Sequence, residues 1–437
     1  MLDPAPGIHI LHLEDGQSNH LPDRYQVVAN DGMLYTAIQP THVGIIKGSC
    51  IGLKQMIEAT GERCAIGLAL SGGGVRAAAF HAGALRRLAE MDRMRDVAHV
   101  STVSGGSLFT GLVFHFSGYK WPTGEQYMHD VLPQVRALLT TSSLQWNALF
   151  RLLALPCNWQ FLTSRANVVA QSLSRDWKIQ ATLSSLPSYP VWSINGSCSE
   201  SGRRFRFKSG EIGDHESGYA QAPNLPLAAA MAVSAAFPGG IGPLAIRTRD
   251  YAWTKKATWN DETSKPHTPQ FHKLHLYDGG VYDNLGLEPL FDMGKQELRQ
   301  PENRDQRAPD IDFLFVSDAG LGYERQPLPH PLNPLRLKRV ADLAFDQIRA
   351  LRVRSLMNYL KHHPSNGALL PIGFAAPGGA TVPASGVFLT PAEAVAAACV
   401  KTSLKCLSVE QFTLVERHGY ETAHWAAKNL LAPGLPT

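Results

Sequence analysis

The sequence is poor in charged residues, which make up 18% of its 437 residues, although 44% of them are hydrophobic. Soluble domains usually carry about a quarter of charged residues, so we expect parts of the surface to be apolar. The net charge of +4 is too small to indicate nucleic-acid binding, and no nucleic-acid partner is predicted. With 38 glycines and 29 prolines the chain is no low-complexity polymer, and it can form a packed core.

Long apolar runs and paired cysteine motifs are missing as well. No stretch of 18 uninterrupted apolar residues occurs, so no transmembrane helix is predicted. Residues 1–16 lack the apolar segment of a secretory signal peptide. The six cysteines form no C-x-x-C motif and have no histidine pair at zinc-finger spacing. We therefore expect a cytoplasmic protein whose cysteines are small buried residues.

Strand-like and helix-like patterns alternate along most of the chain. An apolar run at 65–70 leads through Gly72-Gly-Gly74 into a helical pattern. A strand pattern over 97–103 leads in the same way through Ser104-Gly-Gly106 into another helix. Further strands are predicted at 191–195, 273–277 and 311–317, and further helices at 226–236 and 339–360. Such alternation predicts an α/β fold with a mostly parallel sheet.

Two capping boxes predict helices near the C-terminus. They are Thr390-Pro-Ala-Glu393 and Ser408-Val-Glu-Gln411, in which the first and last side chains bond to each other's backbone N–H groups. Gly419 is interpreted as the residue that ends the second helix, because glycine adopts the left-handed conformation found there.

One large domain is predicted, because no linker-like segment divides the chain. Residues 1–60 contain only short β-like runs such as Val43–Ile46 and are predicted to be an N-terminal extension of undefined role. The domain over 61–437 is predicted to have a core at about 65–365 and a C-terminal helical part at about 366–437.

Ser104 has the sequence surroundings of a catalytic nucleophile. A serine between a strand and a helix, followed by small residues, forms a sharp turn that exposes its hydroxyl. The usual G-x-S-x-G pattern reads here as Thr102-Val-Ser-Gly-Gly106, with Thr102 in place of the first glycine. The alternative is that Ser104 only caps the helix that follows.

The glycine triplet at 72–74 also has two interpretations. Gly72-x-Gly74-x-x-Ala77 after a strand resembles a dinucleotide-binding turn, but the next strand ends in Ser104 and not in the expected acidic residue. In the other interpretation, the N–H groups of Gly73 and Gly74 stabilise a developing negative charge. Gly105, directly after the candidate nucleophile, would contribute a further N–H group.

Asp278 is the candidate general base. It follows a predicted strand and precedes Gly279 and Gly280, so it lies where catalytic groups of α/β sheets gather. The alternative is an ordinary turn that begins with Asp-Gly. Asp283 and Asn284 are the nearest candidates for a supporting role.

Taken together and in this order, these motifs resemble those of the patatin-like phospholipase family. The resemblance rests on Gly72-Gly-Gly-Val-Arg76, Val103-Ser-Gly-Gly106 and Asp278-Gly-Gly280, and it extends from about Ala65 to the C-terminus. Supporting blocks are Ala232–Pro238, Asp346–Arg352 and Glu416–Tyr420.

The resemblance implies a three-layer α/β/α fold with a mostly parallel central sheet. It further implies a dyad in which Ser104 is the nucleophile and Asp278 is the base, with no metal or other cofactor. The oxyanion loop would comprise Gly72, Gly73, Gly74 and Arg76, and Gly106, Gly279 and Gly280 would support the motifs. The expected substrate is a phospholipid or related lipid ester, reached through peripheral contact with a membrane.

Two other functions compete with this one. A Ser-His-Asp triad could combine Ser104 with Asp318 and either His330 or His363, whereas His81 is expected to be a packed helical residue. Alternatively, the glycine loop could belong to a module that binds a nucleotide or a lipid without catalysis.

Two segments are candidates for lipid contact. Gln145–Leu162 is rich in Trp, Phe and Leu, so it could form a lid at a membrane surface, although an ordinary core helix is slightly favoured. Pro334–Lys361 has seven basic and two acidic residues. We expect a solvated helix face there, with a patch for anionic lipids as the alternative.

Overall fold

The computed structural model describes residues 64–256, 263–299, 310–320, 328–330, 333, 335–376, 381–382 and 386–426, and three strands before them. The strands are β1 (His9–Leu11), β2 (Arg24–Val28), β3 (Leu34–Ile38), β4 (Ile66–Leu70), β5 (Val97–Thr102), β6 (Val191–Cys198), β7 (Arg204–Phe207), β8 (Glu211–Asp214), β9 (Gly218–Gln221), β10 (Leu244–Arg247), β11 (Trp253–Lys255), β12 (Lys265–His267), β13 (Lys273–Asp278), β14 (Phe291–Asp292), β15 (Glu297–Leu298), β16 (Phe313–Asp318), β17 (Gly367–Pro371), β18 (Thr381–Val382) and β19 (Gly386–Val387). The longer helices are α1 (Gly74–Glu90), α2 (Gly105–Phe116), α3 (Leu132–Thr141), α4 (Leu144–Ala154), α5 (Ala166–Arg175), α6 (Leu227–Ser234), α7 (Leu335–His362), α8 (Pro391–Cys399) and α9 (Val409–Ala426).

The centre of the molecule is a parallel sheet covered on both faces. Adjacent strands in the order β17, β16, β4, β5 and β6 all run parallel. Alternate side chains of a strand point to opposite faces. In β16, Phe313 and Phe315 accordingly pack with residues of α1 and α9, whereas Leu314 and Val316 pack with Leu356 of α7. A core on each face makes a three-layer α/β/α arrangement, which confirms the predicted fold class.

An antiparallel extension continues the sheet beyond β6. Strands β7, β8, β9, β11 and β12 follow β6 in that order, each antiparallel to its neighbour. These strands are not predicted from the sequence, because each is only three or four residues long. Runs this short carry little periodicity.

The register of β6 explains how two distant motifs meet. The last residue of β5, Thr102, pairs with Ile194 of β6. Farther along the same edge, β13 pairs antiparallel with β6 and places Asp278 opposite Gly196. The other edge of β6 is occupied by β7. Strands β5 and β13 therefore lie end to end, and Ser104 and Asp278, at their facing C-terminal ends, come together.

The C-terminal helix α9 packs closely on α1. A Cβ atom on Gly83 would lie 1.8 Å from the carbonyl oxygen of Glu416, and one on Gly419 would lie 2.0 Å from that of Phe80. Glycine is needed at both positions because the two backbones touch. The interpretation of Gly419 as a helix end is therefore wrong: α9 continues to Ala426.

Both predicted capping boxes are confirmed. The hydroxyl of Thr390 accepts a hydrogen bond from the N–H of Glu393, whose carboxylate accepts one from the N–H of Thr390. Ser408 and Gln411 make the same reciprocal pair. The predicted domain boundary near residue 61 and the run Val43–Ile46 lie outside the described residues, so the domain division stays a prediction.

None of the five described cysteines takes part in a disulfide bond. Burial raises the pKa of the Cys64 and Cys198 thiols to about 11, which makes them unreactive. Cys399 and Cys406 are partly buried, whereas Cys157 is exposed, in contrast to the expectation of buried cysteines.

Candidate active site

Ser104 occupies a strained turn between β5 and α2. Its φ of 49° and ψ of −116° are unusual for a residue with a side chain, and such strain is typical of functional turns. A Cβ atom on Gly105 would lie 2.1 Å from the carbonyl oxygen of Gly74, and one on Gly106 would lie 2.3 Å from that of Leu70. The glycines thus let the turn pack against the neighbouring loop and strand. The side chain of Ser104 makes no capping hydrogen bond to α2, so the cap interpretation is wrong.

Asp278 lies at the end of β13 with 5% of its surface exposed. Its Oδ1 accepts a hydrogen bond of 2.7 Å from the N–H of Gly280. The Ser104 hydroxyl lies close enough to this carboxylate to lower its pKa. Burial raises the pKa of Asp278 from 3.8 to about 7, and Gly280 and Ser104 only partly oppose this shift. The carboxylate thus holds its own turn and lies next to Ser104 at the same time.

A buried polar network supports the turn from below. The N–H of Ser104 donates to the hydroxyl of Ser234 at 3.0 Å, and that hydroxyl donates to the carbonyl oxygen of Asn195 at 2.7 Å. Ser234 also contacts the hydroxyl of Ser107 at 2.8 Å, which in turn lies 2.7 Å from that of Thr102. Ser234 is not among the site residues predicted from the sequence, where its only signal is its place in the block Ala232–Pro238.

Thr102, which replaces the usual first glycine, is part of this network. Its side chain is fully buried, and its hydroxyl accepts a hydrogen bond of 2.9 Å from the indole N–H of Trp192. The substitution is therefore accommodated by two polar partners, Trp192 and Ser107, which satisfy a hydroxyl that would otherwise be costly to bury.

The glycine loop touches the serine turn and leaves several N–H groups available. Gly73 and Gly74 have φ values of 143° and 63°, which favour glycine. A Cβ atom on Gly72 would lie 3.2 Å from the Cβ of Ser104. Within the described part of the chain, the N–H groups of Gly73, Gly74 and Gly105 have no hydrogen-bond acceptor. These three groups can therefore donate to a negatively charged oxygen next to Ser104.

Two members of the predicted oxyanion loop have other partners. The N–H of Gly72 donates to the carbonyl oxygen of Asn284 at 3.0 Å. The guanidinium of Arg76 is buried and donates to the carbonyl oxygens of Ala398, Val400 and Ala319 at 2.9, 3.1 and 2.8 Å. These hydrogen bonds hold the loop in place, and the role of Gly72 and Arg76 in the oxyanion loop stays a prediction.

The first turn of α1 already contacts another segment of the chain, at Ser403. The N–H of Val75 donates to the carbonyl oxygen of Ser403 at 2.9 Å, and a Cβ atom on Gly74 would lie 2.4 Å from the same oxygen. A dinucleotide pyrophosphate would need this helix N-terminus. The structure therefore disfavours the nucleotide-binding interpretation.

The two residues considered for a supporting role differ in position. Asn284 lines the cavity next to Ser104, and its Oδ1 would lie 2.7 Å from a Cβ atom on Gly280. Asp283 is buried and accepts hydrogen bonds from the N–H groups of Leu285 and Glu288 at 3.0 and 2.8 Å. Asp283 therefore shapes the segment after β13 and does not reach the serine.

The histidines proposed for a triad are not at the site. His330 and His363 are exposed, and among the described residues no histidine lines the cavity that contains Ser104. The carboxylate of Asp318 is paired with Arg349. His81 is fully buried between the hydroxyl of Ser317 and the carbonyl oxygen of Ser71, and burial lowers its pKa to about 4. It is the packed helical residue that was expected.

Ser104 and Asp278 both line a cavity of about 1500 Å³. One wall is apolar and comes mainly from α4, α5 and the segment after α6: Leu149, Leu152, Val168, Val169, Phe237 and Ile241. Another wall is one face of α7, where charged side chains recur at helical spacing: Arg339, Asp342, Asp346 and Arg349. The cavity is therefore amphipathic, and Ser104 is among its lining residues.

The segment Gln145–Leu162 is not a core helix. It forms α4 and a 3-10 turn at Pro156–Phe161, and Leu152 is its only buried apolar side chain. Phe150, Leu153 and Trp159 are 71%, 64% and 63% exposed. The segment is held to α5 through an ion pair of Arg151 with Asp176 and through amide hydrogen bonds between Asn158 and Gln171. None of the described helices is long and apolar enough to cross a bilayer.

The basic segment of α7 is only partly a solvated face. Arg352 is buried and pairs with Glu288 at 2.9 Å and with Asp283 at 3.5 Å. Arg349 pairs with Asp318, and Arg339 is buried in the cavity wall. The expectation of a solvated face is wrong for these three residues and right for Arg354 and Lys361, which are exposed.

Comparison with known proteins supports the sequence resemblance. The family model described as patatin-like phospholipase matches residues 68–156, which include the glycine loop and Ser104. No curated protein sequence gives a significant match.

Solved structures of similar outline include human GIVD cytosolic phospholipase A2, with 14% identity and a TM-score of 0.45 over 87% of this chain and 65% of that chain. Another is VipD from Legionella pneumophila, with 12% identity and a TM-score of 0.34 over 95% of this chain and 72% of that chain. This chain thus spans slightly less than two thirds of the human protein. Residues 68–156 of the chain are thus similar to the patatin-like phospholipase family.

Proposed function

We propose that this protein is a lipid acyl hydrolase that cleaves ester bonds of glycerophospholipids, with Ser104 as nucleophile and Asp278 as general base. The observation that carries the proposal is that Ser104, in its strained turn, and the buried Asp278 carboxylate line the same cavity, close enough for the serine hydroxyl to lower the pKa of the carboxylate. With a pKa of about 7, this carboxylate is a stronger base than an exposed aspartate and is still half ionised at neutral pH.

The reaction follows from these positions. The Oγ of Ser104 attacks the ester carbonyl carbon while Asp278 accepts the hydroxyl proton. Negative charge develops on the carbonyl oxygen, where it can accept hydrogen bonds from the N–H groups of Gly73, Gly74 and Gly105. Collapse of the intermediate breaks the ester C–O bond, and the leaving alkoxide takes the proton from Asp278. A water molecule then repeats the sequence on the acyl-enzyme and releases the fatty acid.

The shape of the cavity supports a phospholipid as substrate. The apolar wall from α4 and α5 suits an acyl chain, which gains about 0.8 kcal/mol for each buried methylene group. The charged face of α7 suits a polar headgroup, because its carboxylates and guanidinium groups can pair with ammonium and phosphate.

The exposed side chains of α4 support peripheral docking to a membrane. Basic residues flank this apolar surface: Arg165 donates from Nε to the carbonyl oxygen of Leu162 at 3.0 Å, and Lys405 lies 5.1 Å above the ring of Trp146. Lipid phosphates complement such cations, and the surface is continuous with the apolar wall of the cavity through Leu149. An acyl chain can thus enter the cavity directly from the lipid phase.

The test compares the wild type with Ser104→Ala. We expect a fluorophosphonate to label the wild type covalently, and mass spectrometry to detect fatty acid and lysolipid released from phosphatidylcholine vesicles. Ser104→Ala should lose both signals, whereas Ser365→Ala, an exposed serine outside the cavity, should keep both. Full hydrolysis by Ser104→Ala would refute the proposal. Thermal stabilisation by NAD(P) or ATP, without labelling, would favour the binding-module alternative.

A further inference from the structure

One short segment contacts both the glycine loop and α4. We name residues 398–407, from the end of α8 to the approach to α9, the strap. Its contacts with the loop are those already described: the carbonyl oxygen of Ser403 accepts from Val75, and those of Ala398 and Val400 accept from Arg76. The strap therefore fixes the backbone from which the N–H groups of Gly73 and Gly74 project.

Leu404, the residue after Ser403 in the strap, is hydrogen-bonded to α4. The carbonyl oxygen of Leu404 accepts a hydrogen bond of 3.0 Å from the N–H of Gln145, in the first turn of α4. The Nζ of Lys405 lies 5.1 Å above the ring of Trp146, an attractive cation–π geometry. Farther along, the N–H of Leu407 donates to the carbonyl oxygen of Leu139 in α3 at 3.0 Å. Adjacent carbonyl groups, those of Ser403 and Leu404, thus hold the loop and the helix.

This connection leaves little freedom between the two elements. A Cβ atom on Gly74 would lie 2.4 Å from the Ser403 oxygen and 3.0 Å from the Ser403 nitrogen, so loop and strap are in direct backbone contact. A displacement of the first turn of α4 must move Leu404, and with it Ser403. Packed backbones transmit such shifts because they cannot be compressed.

We propose that the strap positions the oxyanion-stabilising N–H groups according to the state of α4, so that docking of α4 on lipid raises the turnover at Ser104. The inference rests on the proposed function. Lys405 is the positioning residue of this device, because its side chain joins the strap to the exposed ring of Trp146. Turnover of a lipid in a vesicle should exceed turnover of the same ester bond in a soluble monomer. This difference should decrease when the contact between the strap and α4 is weakened.

The test measures kcat for a soluble p-nitrophenyl ester and for saturating phosphatidylcholine vesicles, and compares their ratio between variants. We expect Lys405→Met to lower the ratio of vesicle to monomer kcat about fivefold, with vesicle binding at saturation confirmed by sedimentation. Lys405→Arg should restore the ratio, because a guanidinium also stacks on an indole ring. Lys361→Met removes an exposed lysine outside the cavity and should keep the wild-type ratio.

The outcomes separate this inference from the proposed function. If the wild type hydrolyses both substrates and Lys405→Met keeps the wild-type ratio, the strap does not couple α4 to the loop. The same conclusion holds if sedimentation shows that lost vesicle binding accounts for the whole effect. If the wild type hydrolyses neither substrate, the proposed function itself fails. Trp146→Leu provides a second variant on the other side of the contact, and it should lower the ratio in the same direction.

Discussion

In the network that supports the Ser104 turn, polar side chains are buried and hydrogen-bonded, whereas along α4 apolar side chains are exposed. Thr102, Ser107 and Ser234 are each at or near zero exposure, and their hydroxyl groups form one connected network. On α4, by contrast, Phe150 and Leu153 are more than half exposed. Both arrangements reverse the usual distribution of polar and apolar residues.

This difference between the two regions indicates that they meet two separate requirements. Fixed hydrogen bonds hold the serine turn in a strained conformation, and such a turn persists only where its surroundings determine it. Exposed apolar side chains do not stabilise the isolated protein, and a contiguous apolar surface typically marks a binding site for lipid or protein. Substitutions in the two regions should therefore affect different properties.

The largest effect on activity is expected for Asp278→Asn, next to Ser104 in the cavity. The amide cannot accept the Ser104 proton, so kcat/KM for a soluble ester should fall by about a thousandfold or more. Asp130→Asn, at an exposed position on the π-helical turn before α3, is the matched control and should keep wild-type kinetics. Retention of activity in Asp278→Asn would exclude this residue as the base.

The same substitution should stabilise the fold at high pH. Because the pKa of Asp278 is raised from 3.8 to about 7, the folded state binds this proton more tightly than the unfolded chain. The stabilising contribution is complete below pH 3.8 and is lost as the pH rises through 7. At pH 8 Asp278→Asn should therefore exceed the wild type in free energy of unfolding, by up to about 4 kcal/mol, and the difference should vanish near pH 4. Denaturant unfolding at both pH values measures it.

The pH should have a smaller effect on catalysis by the wild type than Asp278→Asn has. Because Asp278 must be ionised to accept a proton, kcat/KM should decrease about tenfold for each pH unit below 7 and level off above it. The buried histidines His81 and His418 do not titrate in this range, since burial lowers their pKa values to about 4 and about 3. A soluble ester avoids titration of lipid headgroups. A flat profile between pH 5 and 8 would contradict the assignment.

The sequence was sufficient to predict the local parts of this site. Each motif combines a short apolar strand, glycines and, for the first two, a following helix, and these signals depend on neighbours in the chain. Ser104, Gly73 and Gly74 could be identified because the strained turn and the positive φ angles require particular residue types. The fold class followed from the alternation of strands and helices for the same reason.

What the sequence could not provide are contacts between distant segments. The end-to-end meeting of β5 and β13 is a property of register along β6. The hydrogen bond from Arg76 to Ala398 joins residues 322 positions apart. The sequence alone therefore could not show that the Arg76 side chain supports the glycine loop from a distant segment. Gly419 was misinterpreted as a helix end because its requirement for glycine comes from Phe80 on another helix.

Thr102→Val tests the hydrogen-bond network that supports the Ser104 turn. Its expected effect on stability is more modest. Valine has nearly the same shape as threonine, but it would leave the indole N–H of Trp192 without its acceptor and Ser107 without one partner. We expect a loss of about 1–3 kcal/mol in free energy of unfolding. Thr141→Val, an exposed threonine at the end of α3, should change it by less than about 0.5 kcal/mol. Equal stabilities of the two variants would show that the network contributes nothing.

Phe150→Ala should have the smallest effect on stability. Because its ring is 71% exposed, its removal should change the free energy of unfolding by less than about 0.5 kcal/mol. The matched variant Phe109→Ala removes a fully buried ring from α2 and should cost about 3–5 kcal/mol. Binding to phosphatidylcholine vesicles should reverse this order: Phe150→Ala should weaken partitioning about tenfold, since the ring would enter the lipid. If Phe150→Ala destabilised the fold and left vesicle binding unchanged, α4 would be a core helix with an exposed edge, and the contrast between the two sides of the cavity would disappear.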